Sequence, residues 1–223
     1  MSKRSKEKLI CSKCGKEGEF VVWHSLNTML DPEEKKVLMD GDLFKYTCPH
    51  CGAVSTVVYD FLYHQMEDQT MIQLATSEEA VPQSIEVFAS LMDGELMPGI
   101  SKMNADYRLR IVKSQNSLRE KIYIFDQGLD DRVIELMKVA MIAHIAETQP
   151  EFDIQEIFLE IGEARPKNFA ILLVGGTWAS MKFPQGLYND LRDAFITPGD
   201  DGKREYFVNR DWALEQFKAR KKE

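Results

Sequence analysis

All four cysteines of the chain fall in two short stretches of one shape, Cys11-Ser-Lys-Cys14-Gly15 and Cys48-Pro-His-Cys51-Gly52. The 33 residues between Cys14 and Cys48 must therefore fold so that both pairs meet around a single ion. A zinc ion takes four ligands at tetrahedral corners, and thiolate is its favoured ligand in structural sites. Two residues between cysteines let a tight turn aim both sulfurs at one point while backbone N–H groups face them. Gly15 and Gly52 suit the positive φ such a turn needs, and Pro49 presets φ near about −65° inside the second one. The expected ligands are Cys11, Cys14, Cys48 and Cys51, and the expected cofactor is structural Zn2+. Lys8, Lys13 and Lys16 are placed to offset the excess negative charge of four thiolates on a divalent ion.

Three other fates of such cysteines have to be weighed. Disulfides need an oxidising compartment, and residues 1–10 are basic and polar, without the apolar core of a secretory leader. A redox C-x-x-C needs one reactive pair at the start of a helix, whereas both pairs here precede glycine and a strand-like run. Rubredoxin-type iron is the runner-up, because four thiolates around iron pose the same coordination problem with a redox-active metal. His24, His50 and His64 are not needed as ligands, since a structural site is closed at four. His50 is expected on the surface, and His24 and His64 on sheet faces.

The 223 residues, 44% hydrophobic and 29% charged, have the composition of a globular protein with a real core. No apolar run approaches the roughly 18 residues of a membrane span, so no membrane association and a cytoplasmic location are expected. The net charge of −8 is unevenly spread: residues 1–16 are strongly basic, and residues 17–104 carry fifteen acids against four Lys and Arg. An acidic segment around the cysteines repels a phosphate backbone, so nucleic acid is not an expected partner. The basic tips, Lys3 to Lys8 and Lys218 to Lys222, read as solvated ends.

Along the chain, strands are expected at Glu19 to His24, Leu43 to Cys48 and Ser55 to Tyr59, with a short helix inserted from Pro32 to Met39, capped by Asp31 and ended at Gly41. A hairpin follows, Tyr63 to Met66 with Thr70 to Ala75. Residues 76–104 are polar and turn-bearing, with an amphipathic segment at Ile85 to Met92 and then Gly94, Pro98 and Gly99, where a boundary is expected. Asn104 to Lys113 reads as a helix. Ser117-Leu-Arg-Glu120 reads as the capping box of the next one, which Gly128 stops. Asp130 to Glu147 gives a long helix with His144 on its apolar stripe, an arrangement expected to be a core αα-hairpin with a hydrogen-bonded histidine. Strands at Glu156 to Ile161, Phe169 to Val174 and Thr177 to Phe183 follow, the last two joined at Gly175-Gly176. A helix over Gly186 to Phe195, a strand at Tyr206 to Val208 and a final helix capped by Asn209 complete the reading.

The second knuckle Cys48-Pro-His-Cys51-Gly52, with Leu30-Asp-Pro, Gly41-Asp-Leu-Phe, Leu62-Tyr-His, Glu120-Lys-Ile and Gly128-Leu-Asp-Asp-Arg132, resembles the CpXC family of bacterial and archaeal proteins over roughly residues 9–138. The first knuckle has Ser12 where that family's motif suggests proline, which leaves ligation untouched. The resemblance implies a site at the four cysteines and brings no reaction with it.

The fold class expected is α+β. A zinc-ribbon-like antiparallel sheet with an inserted helix (residues 1–93) precedes an αα-hairpin and a small antiparallel sheet with helices (residues 94–223). The function expected is that of a non-enzymatic, zinc-binding protein that meets a protein partner or regulates one. Two alternatives stand beside it, rubredoxin-like electron transfer and an enzyme with a cleft between the halves. For the enzyme, Asp126, Asp130, Asp131 and Arg132 supply polar groups, but acids at a helix start are ordinarily capping and dipole chemistry.

Overall fold

The computed structural model describes residues 2–93, 106–162 and 168–220. Gly94, Pro98 and Gly99, on which a boundary after residue 93 rests, and Lys221 and Lys222 of the basic tip lie outside the described residues. The chain is mixed α+β and forms two compact units. One comprises Met1–Arg119 with Gly202–Tyr206, the other Glu120–Asp201 with Phe207–Glu223.

The first unit is built on a five-stranded sheet. Its strands are β1 (Lys3–Ile10), β2 (Glu17–Asn27), β5 (Phe61–Gln65), β6 (Thr70–Leu74) and β7 (Arg108–Val112), in that spatial order. Between β2 and β5 in sequence come helix α1 (Pro32–Met39) and a separate two-stranded sheet, β3 (Lys45–Thr47) with β4 (Val54–Thr56). Helix α2 (Ala80–Asp93) follows β6. The inserted helix and the β5–β6 hairpin stand where the residue patterns put them.

The large sheet is not the purely antiparallel one expected. β2 pairs parallel with β5, and β6 pairs parallel with β7, while β1–β2 and β5–β6 are antiparallel. The second parallel partner is the segment expected as a helix, Asn104 to Lys113, of which residues 106–113 are described. Arg108 and Arg110 suggest the wet face of a helix, yet Arg110 is 1% exposed. Its guanidinium donates to the carbonyls of Leu109 and Gly202, so a charge that reads as surface is satisfied inside and the segment is buried on both faces. The core of this unit gathers Trp23, Leu26, Phe61, Tyr63, Ile72, Leu74, Leu109 and Ile111.

Helix α3 (Gln115–Asp126) begins earlier than the capping-box reading, because Ser114 is the capping residue: its Oγ accepts the Ser117 N–H at 3.1 Å. Ser117 thus lies inside the helix, and Glu120 is free for another role. In the first unit Arg119 of this helix donates through Nε to the Met39 carbonyl at the end of α1, 2.8 Å away. Asp31 precedes Pro32 at the start of α1 but makes no side-chain cap.

The second unit packs α4 (Asp131–Thr148), α5 (Gln185–Phe195) and α6 (Arg210–Arg220) with an antiparallel sheet of order β10-β9-β8, comprising β8 (Ile154–Leu159), β9 (Asn168–Leu173) and β10 (Trp178–Lys182). Gly175 and Gly176, at φ of 102° and 86°, make the tight link from β9 to β10. Asn209 caps α6 by accepting the Trp212 N–H at 2.9 Å. Two expectations fail here. His144 is exposed although it shares the stripe of Val133, Met137, Met141 and Ile145, because α4 is buried on all sides from Asp131 to Lys138 but keeps only Met141 and Ile145 buried in its last turns. Tyr206 to Val208 is not a strand. Tyr206, in the first unit, instead offers its carbonyl to the Ile111 N–H at 2.7 Å, a single bond in place of a ladder.

Candidate metal centre

The two knuckles are copies of one backbone device. The first fills the turn from β1 to β2, the second the turn from β3 to β4. In the first, Cys11 N–H donates to the Lys16 carbonyl (3.0 Å) and Gly15 N–H to the Cys11 carbonyl (2.8 Å). In the second, Cys48 N–H donates to the Ala53 carbonyl (2.8 Å) and Gly52 N–H to the Cys48 carbonyl (3.0 Å). Each loop is thus closed at the same two offsets from its leading cysteine. A left-handed residue is needed where the chain turns back into the next strand, and Gly15 and Gly52 both supply φ of 69°.

These loops deliver four sulfurs to one place. Cys11 Sγ lies 3.7 Å from Cys51 Sγ, and Cys14 Sγ lies 3.7 Å from Cys48 Sγ, with all four within 4.8 Å of one another. A tetrahedron with metal–sulfur bonds of about 2.3 Å has sulfur–sulfur edges of roughly 3.8 Å. A disulfide would need about 2.05 Å, and all four cysteines are free thiols. The donor set and its spacing therefore suit a four-thiolate metal ion. No other group of three or more His, Cys, Asp or Glu side chains among the described residues has that compactness.

The surroundings of the sulfurs favour ionisation unequally. Burial opposes ionisation of Cys48, but the N–H groups of His50 and Cys51 and the neighbouring thiols outweigh it and hold the thiol at about 6. The N–H groups of Cys14 and Lys13 likewise lower Cys11. At Cys14 the Lys16 N–H favours the thiolate, yet burial and the three other sulfurs push it up to about 12. The knuckle amides thus favour thiolates, and what opposes them is burial, joined at Cys14 by the other three sulfurs; a cation at the centre would offset both.

An aromatic array backs the sulfurs. Cys11 and Cys48 are buried with Phe20 and Tyr46. Phe20 meets Tyr46 edge-on at 6.2 Å and Tyr59 at 6.2 Å. Phe44 continues to Tyr59 at 5.1 Å and to Phe61 at 5.5 Å, linking the small β3–β4 sheet to the large one. Burial, and after it the charge of Cys48, pushes the Tyr46 phenol upward.

The histidines stand away from the sulfurs in role. His50 is exposed, and its Nε2 is 2.9 Å from the Glu17 carbonyl; His24, also exposed, meets Ser5 Oγ at 2.9 Å. His64, half-buried on β5, meets the Tyr107 hydroxyl at 2.9 Å. Of the three lysines expected to offset the site's charge, all exposed, Lys8 pairs instead with Glu17 at 2.7 Å.

In the second unit lies a constellation that residue type alone did not announce. Glu120, Lys121, Asp131, Glu135 and Lys138 are each at most 8% exposed. Lys121 Nζ bonds Asp131 (2.9 Å) and Glu135 (3.4 Å), while Lys138 Nζ bonds Glu120 (2.7 Å) and Glu135 (3.1 Å). Glu120 also accepts the Leu159 N–H at 2.6 Å, tying α3 and α4 to β8. Asp130 caps α4 through the Arg132 N–H and grips the Arg132 guanidinium, which also reaches Asp200 at 2.8 Å. Burial raises the Glu120 carboxyl, with Lys138 offsetting it in part. Burial works against ionising Glu135 too, but Lys138 and Lys121 outweigh it and hold that carboxyl below its usual range. The capping expectation for Asp130 holds; Asp131 and Arg132 serve interior pairing, and Asp126 is exposed. Spacing gave one usable hint, since Asp131, Glu135 and Lys138 recur at helical intervals and share a face.

No curated protein matches the chain, and no solved structure does. The model of the family described as CpXC protein matches residues 9–138. That span starts just before Cys11 and ends at Lys138, so it contains both the sulfur cluster and all five interior charges. With more than half of its 223 residues so matched, the chain belongs to the CpXC family.

Proposed function

We propose that Cys11, Cys14, Cys48 and Cys51 hold one structural Zn2+ and that the protein is a non-enzymatic cytoplasmic protein whose metal-braced N-terminal unit, a zinc-ribbon-like element, engages a protein partner. The observation that carries this reading is the union of four sulfurs gathered within 4.8 Å of one another with a sheet too small to stand alone. β3 and β4 have three residues each, and every residue of β4 is exposed. A lone two-stranded hairpin of that length is not stable in water. When bound, zinc supplies folding energy by cross-linking the β3–β4 turn to the β1–β2 turn. Ile10 and Val54, exposed apolar residues beside the knuckles, give a partner a contact surface that the acidic segment denies to nucleic acid.

Iron is the second reading, because the same four sulfurs suit it equally. Elemental analysis of the protein purified without added metal separates the two. Near one zinc per chain, with a colourless protein, supports the proposal. A red protein carrying one iron moves the role to electron transfer, and a metal-free, fully folded protein overturns both. Affinity capture on the loaded protein, with a metal-stripped control, tests the partner role.

A further inference from the structure

Tyr46 sits 4% exposed beside Cys48 and Cys11, and its hydroxyl is buried with no hydrogen-bond partner. A buried hydroxyl in this state is costly, and tyrosine is retained in cores where its O–H finds an acceptor. The surroundings are shaped to admit it. Gly18 lies inside β2, paired with Leu9, where glycine weakens a strand. A Cβ on Gly18 would collide with the Tyr46 hydroxyl oxygen and stand 3.0 Å from Pro49 Cδ. The glycine thus clears space for this oxygen against the second knuckle. Among the remaining neighbours Phe20, Val22 and Val57 are apolar, and the Tyr59 hydroxyl is itself buried without a partner, so the two phenols do not bond each other and the sulfurs are the other side-chain acceptors of the cluster. A thiol holding its own proton is a poor acceptor, whereas a thiolate is a strong one.

Resting on the metal reading above, the geometry points to Tyr46 as a positioning residue of the centre: its hydroxyl donates a hydrogen bond to the Cys48 thiolate once the site is loaded. The bond would spread the sulfur's charge further, adding to the His50 and Cys51 N–H groups that already face it. It would also fix the second knuckle against β2, since the phenol is held on one side by Phe20 and on the other by Gly18. Outer partners of this kind ordinarily change metal affinity by about 10- to 100-fold.

The test compares wild type with Tyr46→Phe by titration with Co2+ and competition with a chelator. A hydrogen bond lowers the energy of the sulfur donor electrons, so its loss is expected to move the thiolate-to-cobalt charge-transfer band to longer wavelength and to weaken binding by about tenfold or more. Gly18→Ala, which keeps the phenol and displaces its oxygen, is expected to shift the band in the same direction. In 113Cd-loaded wild type, scalar coupling between the metal and a slowly exchanging tyrosine hydroxyl proton is expected, and this readout decides the matter should either variant fail to fold. An unshifted band with affinity within twofold of wild type, or absence of the coupling in well-folded cadmium protein, overturns the proposal while leaving the four-thiolate site intact. Wild type that shows no thiolate-to-cobalt band fails the parent reading itself.

Discussion

Gly15 and Gly52 hold the same backbone angle, φ of 69°, 37 positions apart in sequence, and apart from its own neighbours in the chain neither has a heavy atom within 4 Å of where a Cβ would be. Crowding therefore plays no part in the choice of glycine, and only the left-handed conformation does. Gly52→Ala is expected to cost roughly 1–2 kcal/mol of stability in the loaded protein, the price of a left-handed L-residue, and Gly15→Ala the same. Denaturant unfolding of both variants checks this, with equal losses as the expected signature of two equivalent knuckles. A large loss at one and none at the other would mean that the loops do not share a function.

The centre joins elements of unequal independence. The five-stranded sheet has its own core, with Tyr63, Ile72, Leu74 and Leu109 essentially inaccessible, while β3–β4 depends on one aromatic array and on the knuckles. Stripping the metal with a strong chelator is expected to release amide protection first at Tyr46, Cys48 and Val57, and to leave Ile72 and Leu109 protected. Hydrogen exchange read by mass spectrometry resolves the two. Uniform loss across the first unit would show instead that the ion holds the whole unit together. Cys51→Ser is expected to reproduce the chelated pattern, since one hard oxygen in place of thiolate weakens a soft-ligand site.

Arg119 joins α3 to the end of α1 by donating to the Met39 carbonyl, beside Gly41, whose φ is 81°. A Cβ on Gly41 would come within 3.3 Å of the guanidinium, so the glycine serves both the helix stop and this approach. Arg119→Met keeps the apolar stem but loses the charged donor, and a loss of about 1.5–3 kcal/mol is expected from thermal or denaturant unfolding. An unchanged midpoint would show that the helix end finds water as readily as the arginine.

What could be read from residues alone depended on how local the deciding physics was. The knuckles were legible because ligand chemistry fixes spacing within five residues, and Gly175-Gly176 because two left-handed positions in a row announce a tight hairpin. The β5–β6 hairpin followed from its flanking strand residues. The β6–β7 pairing was hidden, since a parallel ladder joins segments with a helix between them and Arg110 conceals a buried strand behind a charge. The interior ion network was hidden for a related reason. Lys121 and Asp131, or Glu120 and Lys138, become partners only when two helices pack, and each residue by itself reads as solvent-facing. His144 is in phase with the apolar stripe and failed because α4 leaves the core in its last turns, an end that periodicity does not mark.

That network makes its own prediction about pH. Glu135 is held below its unfolded carboxyl value of about 4.3 by Lys138 and Lys121, so its contribution is present above that value and lost as pH falls through the folded one. Burial works to lower Lys138, but Glu120 and Glu135 outweigh it and raise the amine above its unfolded value of about 10.4, so its contribution is complete below that value and disappears as pH climbs through the folded one. Glu120 runs the other way from Glu135: burial raises it, so it favours folding below about 4.3 and that gain is lost as pH rises through its folded value. Removing one partner from such a buried set leaves an uncompensated charge, and Lys138→Met is expected to cost about 3–5 kcal/mol near neutral pH. Its alkaline limb should flatten above about pH 10.4. Glu135→Gln should flatten the acid limb instead, and Glu120→Gln should remove a decline on the rising side of about 4.3 that the other two variants keep. Stability profiles by denaturant unfolding across pH separate the three cases. Should Lys138→Met and Glu135→Gln both match wild type in depth and shape, the interior pairs would be exchanging with water and could not be what binds α3 and α4 to β8.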